Sequence, residues 1–172
     1  YEVLQGNNPD GSDNPDASAV DNVVVITGDI HTSWAFDVTP NPDALPAPTP
    51  IAVEFVGPSV TSPGLPIPGD LPNVLRASNR HLQWVNLDQK GWILLDLAPD
   101  YATGEWYHIG TDAVVDSPDR PAPSTLARAY RTPSTPGSNG IELDLTDVTN
   151  TAHQTDPGED YLASRPAKAP AS

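Results

Sequence analysis

Twenty-one of the 172 residues are proline. Each fixes its own φ and lacks a backbone donor, so regular elements must fit between them. The spaces that remain hold most of the dense apolar stretches, at 23–26, 51–56, 82–87 and 92–97. Runs of this length, rich in Val, Ile, Leu and Trp and bounded by Gly, Pro or Asp, read as strands. The hydrophobic share is only 37%, so a core has to be built from these runs and cannot occupy the whole chain. The expectation is a β-dominated piece with little helix.

Residues 1–21 are polar and read as a loop segment. The β-branched run 23–27, closed by Gly28, reads as a buried strand internal to a sheet. Residues 31–37 read as the start of a helix capped by Asp29, Thr32 or Ser33 and stopped by Pro40 and Pro42. A second strand is expected at 51–56 and a short helix at 71–77. Strands at 82–87 and 92–97 are joined by Asp88-Gln-Lys-Gly91 as a hairpin, and 104–109 completes a three-stranded antiparallel meander. In it Leu82 and Trp84 share a face against Gln83, and Trp106 opposes Glu105. Further strands are expected at 125–131 and, at an edge, 141–145. The organisation is then a loop segment 1–21, a folded core 22–110, and a Pro-rich acidic extension 111–172. Residues 147–172 offer few apolar anchors, so their ordering, like that of 1–21, is expected to need another chain.

Twenty-three acidic residues against eight basic ones give a formal net charge of −15. Such a surface repels nucleic acid and anionic membranes and favours cations. It also repels an anionic substrate unless bound metal reverses the local field. Without cysteine, disulfides and thiolate-bound metals are excluded. Without methionine, Tyr1 is read as the start of a processed product or fragment. No apolar run approaches membrane-spanning length.

The chemistry concentrates in Gly28-Asp29-Ile30-His31. The glycine permits a sharp turn at the carboxyl end of a strand. If the chain stays extended there, Asp29 and His31, two residues apart, point into one cleft. A carboxylate oxygen and an imidazole nitrogen suit cations such as Fe, Mn, Zn or Ca. The bland alternative is that Asp29 caps a helix and His31 packs under Trp34.

Three blocks of sequence bear on that choice. Asn22-Val-Val-Val-Ile-Thr-Gly-Asp-Ile-His-Thr-Ser-Trp-Ala35 resembles the V-V-x-x-T-G-D-x-H-x-S-W-A signature of PhoD-type alkaline phosphatases and phosphodiesterases. Val53-Glu-Phe-Val-Gly-Pro-Ser-Val-Thr-Ser62 is similar to that family's E-F-V-G-x-S-x-T-S segment. Asn79-Arg-His-Leu-Gln-Trp84, with Gly91-Trp92, is similar to its N-P-H hairpin. The resemblance implies an α/β fold, with this chain as the C-terminal, β-dominated part of a metallophosphoesterase α/β/β/α sandwich. It implies a metal centre with calcium and iron, a phosphoester substrate, and a periplasmic or extracellular location. It places Asp29 and His31 as catalytic metal ligands. The family's other carboxylates, an Asn and an iron-binding Cys belong to an upstream half. The isolated chain is therefore expected to be inactive, its partner being that N-terminal part as a separate chain, or other copies of itself. The competing reading is a non-catalytic assembly module derived from such an enzyme.

The remaining candidates carry blander expectations. His81 reads as a hydrogen-bonded histidine at a strand edge, and His108 and His153 as surface residues. Trp34, Trp84, Trp92 and Trp106 read as packing aromatics. Asp10, Ser12, Asn14 and Asp16 alternate like half a calcium loop, but Pro15 stands where such a loop needs Gly, so Asx turns are expected.

Overall fold

In the computed structural model, residues 2–65, 69–110 and 124–146 are described. Two four-stranded sheets pack face to face. The first holds β1 (Val24–Thr27), β2 (Ser33–Val38), β3 (Ala52–Val56) and β4 (Leu82–Asn86) in the order β1-β3-β2-β4. The second holds β5 (Lys90–Ala98), β6 (Tyr101–Gly110), β7 (Thr125–Pro133) and β8 (Leu143–Asp144) in chain order. The β1–β3 pair is parallel and the other pairs are antiparallel. Besides a 3-10 turn at Glu2–Gln5, the described residues hold one α-helix, α1 (Leu71–Ser78), which lies against the outer face of the first sheet.

The core between the sheets is aromatic. Phe55 meets Trp106 edge-on at 5.3 Å, and Trp84 meets the same indole at 5.3 Å. The Trp106 Nε1 donates to the Val56 carbonyl at 2.8 Å, so the most deeply buried indole also has its polar atom satisfied. Leu82, Val85 and Leu87 form a second cluster on the other face with Trp34, Phe36 and the α1 residues Leu71 and Leu75.

Four expectations fail, each for a local reason. Residues 33–38 are a strand, not a helix. Ser33 and Ala35 are buried while Trp34 and Phe36, alternating with them, pack toward α1, a period of two that outweighs the capping signals upstream. The segment joining β4 to β5 is not a hairpin, because the two strands belong to different sheets. The antiparallel meander is β5–β6–β7 instead. Leu82 and Trp84 do not share a face: the β2–β4 register slips between Ala35 and Phe36, leaving Gln83 as the extra residue of a bulge. Finally, β1 is an edge strand. Within the described residues it pairs only with β3, and Ile26 is 53% exposed.

Segment 2–21 closes on its own backbone, with the Val20 amide on the Leu4 carbonyl at 2.8 Å. Asp10 accepts from the Ser12 amide at 3.0 Å and Asn14 from the Asp16 amide at 3.1 Å, the expected Asx turns. The expectation for 147–172 lies outside the described residues. Among those described, no helix is long and apolar enough to cross a membrane.

Candidate metal-ligand turn

β1 and β3 run parallel in a register that sets Thr27 beside Val56, so both strands end together. The Gly57 amide donates to the Thr27 carbonyl at 2.9 Å, and the Thr27 hydroxyl to Glu54 Oε1 at 2.8 Å. These bonds fix the base of two adjacent loops. One carries Gly28 to Thr32, the other Gly57 to Ser62. In the second, Ser59 Oγ accepts from the Ser62 amide at 2.9 Å, and the Ser59 carbonyl accepts from the Gly91 amide at 3.0 Å. Carboxyl ends of parallel strands are where open α/β sheets gather ligands.

The first loop does not stay extended. Asp29 sits at φ 69° and His31 at φ 61°, both in the left-handed region. The Ile30 amide returns to the Gly28 carbonyl at 2.8 Å, closing a three-residue turn centred on Asp29, with His31 just after it. Gly28 is not left-handed, and a Cβ there would meet nothing within 4 Å. The sharp turn expected of Gly28 is therefore made by its two chemically functional neighbours. A left-handed conformation is uncommon for residues other than glycine, although Asn, Asp and His are enriched there. Such positions cluster at ligand-binding turns, where the surrounding structure holds the strain.

What holds it follows directly in sequence. Thr32 and Ser33 are fully buried. The Trp34 Nε1 donates to Thr32 Oγ1 at 2.6 Å, and Ser33 Oγ lies 3.3 Å from His108 Nε2. His108 is thus not a surface residue. It is 8% exposed, stacks on Trp84 at 5.9 Å, and its imidazole is held below the ordinary range by burial, against a smaller opposing pull from Asp88. Its place two residues beyond Trp106 on β6 was the available signal, since i and i+2 share a sheet face.

The alternative in which His31 packs under Trp34 is not what forms: Trp34 stacks on Phe36 at 5.6 Å instead. Asp29 is exposed and His31 half-buried. Among the described residues, no group of three or more His, Cys, Asp or Glu side chains gathers to hold a metal. The donor types fit a cation, but two donors do not close a coordination shell. His81 stacks on Phe36 at 5.7 Å, and its buried Nδ1 lacks the hydrogen bond expected of it. His153 lies outside the described residues. Trp84 and Trp106 are core residues, and Trp92 stacks on Tyr107 at 4.3 Å.

A family profile, PhoD-like phosphatase, matches residues 13–106. The chain belongs to the PhoD-like phosphatase family. The match takes in β1 to β5 and both loops at the ends of the parallel pair, so the family assignment and the left-handed turn concern the same residues. Among solved structures, one of PhoD resembles this chain with a TM-score of 0.56 and 25% identity over 71% of its length. The matched region spans only 22% of that PhoD chain. No curated protein matches. The strand-dominated sandwich with one outer helix agrees with the β-dominated α/β part of such a phosphatase.

Proposed function

We propose that this chain is part of a metal-dependent phosphatase acting on phosphomonoesters or phosphodiesters, and that Asp29 and His31 are metal ligands of its catalytic site. One observation carries the reading: two adjacent-but-one residues with ligand chemistry both adopt a left-handed backbone in the loop at the carboxyl end of a parallel strand pair. A turn of this kind costs stability, which a purely structural loop avoids by using glycine.

The Asp29 carboxylate suits a hard cation such as calcium, and the His31 imidazole suits iron. When bound, such ions polarise phosphoryl oxygens and offset the −15 charge that otherwise repels phosphate. The chain's own contribution is positional. Thr32 and Ser33 are clamped behind the turn, so the segment that carries the two donors stands on a fixed base.

The remaining ligands are proposed to come from an N-terminal part of the same enzyme, and the active assembly to be periplasmic or extracellular. The alternative, an assembly module without catalysis, draws on β1. Its outer edge is unpaired among the described residues, and Ile26 and Ile30 are 53% and 49% exposed, an apolar edge suited to pairing with another strand. Metal analysis and phosphatase assays of the full-length protein, wild type against Asp29→Asn and His31→Ala, decide between them. Loss of bound metal and activity in both variants with the fold intact supports the enzyme. Unchanged turnover in both removes Asp29 and His31 from the site.

A further inference from the structure

The two faces of the second sheet differ. Ile93, Leu95 and Trp106 point into the core. By alternation, Trp92, Leu94 and Asp96 on β5 and Thr103, Glu105 and Tyr107 on β6 stand on the outer face. The register there pairs Trp92 with Tyr107, Leu94 with Glu105 and Asp96 with Thr103. Trp92 stacks on Tyr107 with ring centroids 4.3 Å apart. No strand or helix of the described residues lies on this face: the first sheet covers the opposite one, and α1 lies beyond the first sheet. Thr103, Glu105 and Tyr107 are nevertheless buried.

Glu105 indicates what this face lacks. It is 6% exposed, and its carboxylate accepts from the Tyr107 hydroxyl at 2.7 Å but has no ion-pair partner among the described residues. Burial, and then that bond, push the Tyr107 hydroxyl up, so it remains a donor at neutral pH. Arg131, opposite Thr103 on β7, is engaged elsewhere. Its Nε donates to Thr103 Oγ1 at 3.0 Å, and its guanidinium lies over the Tyr101 ring at 3.7 Å. Buried carboxylates are normally paired with a cation. The face therefore fits a segment that brings apolar or aromatic side chains to Trp92 and Leu94 and a positive charge to Glu105.

This chain carries such a segment. Tyr161 and Leu162 are followed by Arg165 and Lys168, and no acidic residue comes after Asp160. The chain leaves the sheet beside this face, since Thr146 Oγ1 accepts from the Ala129 amide at 3.1 Å and Ala129 is the β7 partner of Glu105. From there to β5 is three strand spacings, about 14 Å. The fifteen residues 147–161 span about 21 Å as a flexible chain, enough to cross. A tether of this length holds its end at a local concentration in the millimolar range, so even a weak contact is occupied. Only 161–168 has to be ordered, not the whole of 147–172. We propose that the outer face of β5 and β6 is a docking surface for residues 161–168 of this same chain, with Tyr161 and Leu162 on Trp92 and Leu94 and with Arg165 and Lys168 beside Glu105 and Asp96. The surface is separate from Asp29 and His31 and does not depend on the phosphatase reading.

The chain has no cysteine, so a nitroxide attached through Ser164→Cys labels this segment alone. In the full chain, NMR signals of the Leu94 and Glu105 amides and of the Trp92 indole should broaden, while those of the α1 amides on the far side of the molecule should not. A charge-assisted contact typically carries about tenfold or more in an equilibrium constant, so Glu105→Gln should restore most of the lost intensity. The double variant Arg165→Ala, Lys168→Ala leaves the sheet itself untouched and should do the same. Absence of broadening on β5 and β6 overturns the proposal, as does broadening unchanged in the double variant. Nitrogen-15 chains without the label, mixed with labelled ones, should keep their intensity. Broadening in that mixture would mean that a second copy covers the face, and would overturn docking within one chain.

Discussion

Ser33 Oγ and His108 Nε2 lie 3.3 Å apart across 75 residues of sequence, joining the two sheets two residues after His31. The contact is buried on both sides, so it behaves as a rivet between sheets more than as a surface hydrogen bond. Removing His108 leaves a hydroxyl without a partner and a gap against Trp84. His108→Ala should therefore cost about 2–4 kcal/mol, combining a lost buried hydrogen bond with a cavity. Urea unfolding of wild type and variant measures it.

The same histidine makes stability depend on pH. Burial holds its native proton affinity below that of the unfolded chain. The unfolded state then binds the proton more readily, and stability rises with pH across the interval between the two values. The contribution is complete above about pH 6.5, the ordinary imidazole value, and is lost as pH falls through the lowered native value. Asp37 is raised by burial and works in the opposite sense at more acidic pH. The wild type should lose stability more steeply than His108→Gln as pH is lowered from neutrality, measured as the difference in denaturation midpoints.

Asp29 and His31 separate function from stability. Each occupies a left-handed conformation that glycine adopts without penalty. Asp29→Gly and His31→Gly should each stabilise the fold by up to about 1 kcal/mol, the usual αL penalty less the greater backbone freedom glycine has when unfolded. If the proposed ligand role is correct, the same substitutions abolish phosphatase activity in the full-length protein. Destabilisation by both would show that their side chains hold the turn together.

The glycines differ in their neighbourhoods, and so in what a methyl group there would do. A Cβ on Gly91 would run into the Tyr107 carbonyl oxygen, which belongs to the β5–β6 ladder and cannot move aside. A Cβ on Gly104 would come within 2.8 Å of the Phe55 ring. Gly91→Ala should prevent a stable β5–β6 pair. Gly104→Ala should cost about 1–3 kcal/mol by overpacking. Gly28→Ala should be neutral or slightly stabilising, since nothing lies near it. Circular dichroism melts of the three variants rank them.

Much of this architecture is written locally. Runs such as Val53–Val56 and Trp92–Leu97 announce strands because apolar, β-branched and aromatic residues are packed between breakers. Pairing is not written locally. Nothing in Asp88-Gln-Lys-Gly91 says whether the next strand returns beside β4 or passes to a second sheet, since that depends on which sheet has a face left to cover. The Gln83 bulge is equally hidden: its side chain finds Asp37, distant in sequence, and that contact goes with the shifted face of Leu82. At the site, Asp29 and His31 stand out by chemistry and by resemblance to PhoD-type signatures. Their backbone conformation does not, because the adjacent glycine is the conspicuous candidate for the turn. His108 reads as a surface residue because a histidine near the end of an apolar run counts as polar until the opposing Ser33 is known.

The division into two sheets also bears on how the chain acquires its shape. β5 and β6 are joined across Pro99 and Asp100, and their nine-residue register forms with almost no loop to close. The parallel β1–β3 pair has to enclose β2 and the proline-rich segment before its first hydrogen bond is made. Closure of that longer loop costs more chain entropy before contacts repay it, and such non-local pairings form slowly. The β5–β6 hairpin is thus expected in the transition state for folding, with φ-values near one for Trp106 neighbours along it. The Asp29–His31 turn, hung on the late parallel pair, is then among the last parts of the molecule to be assembled.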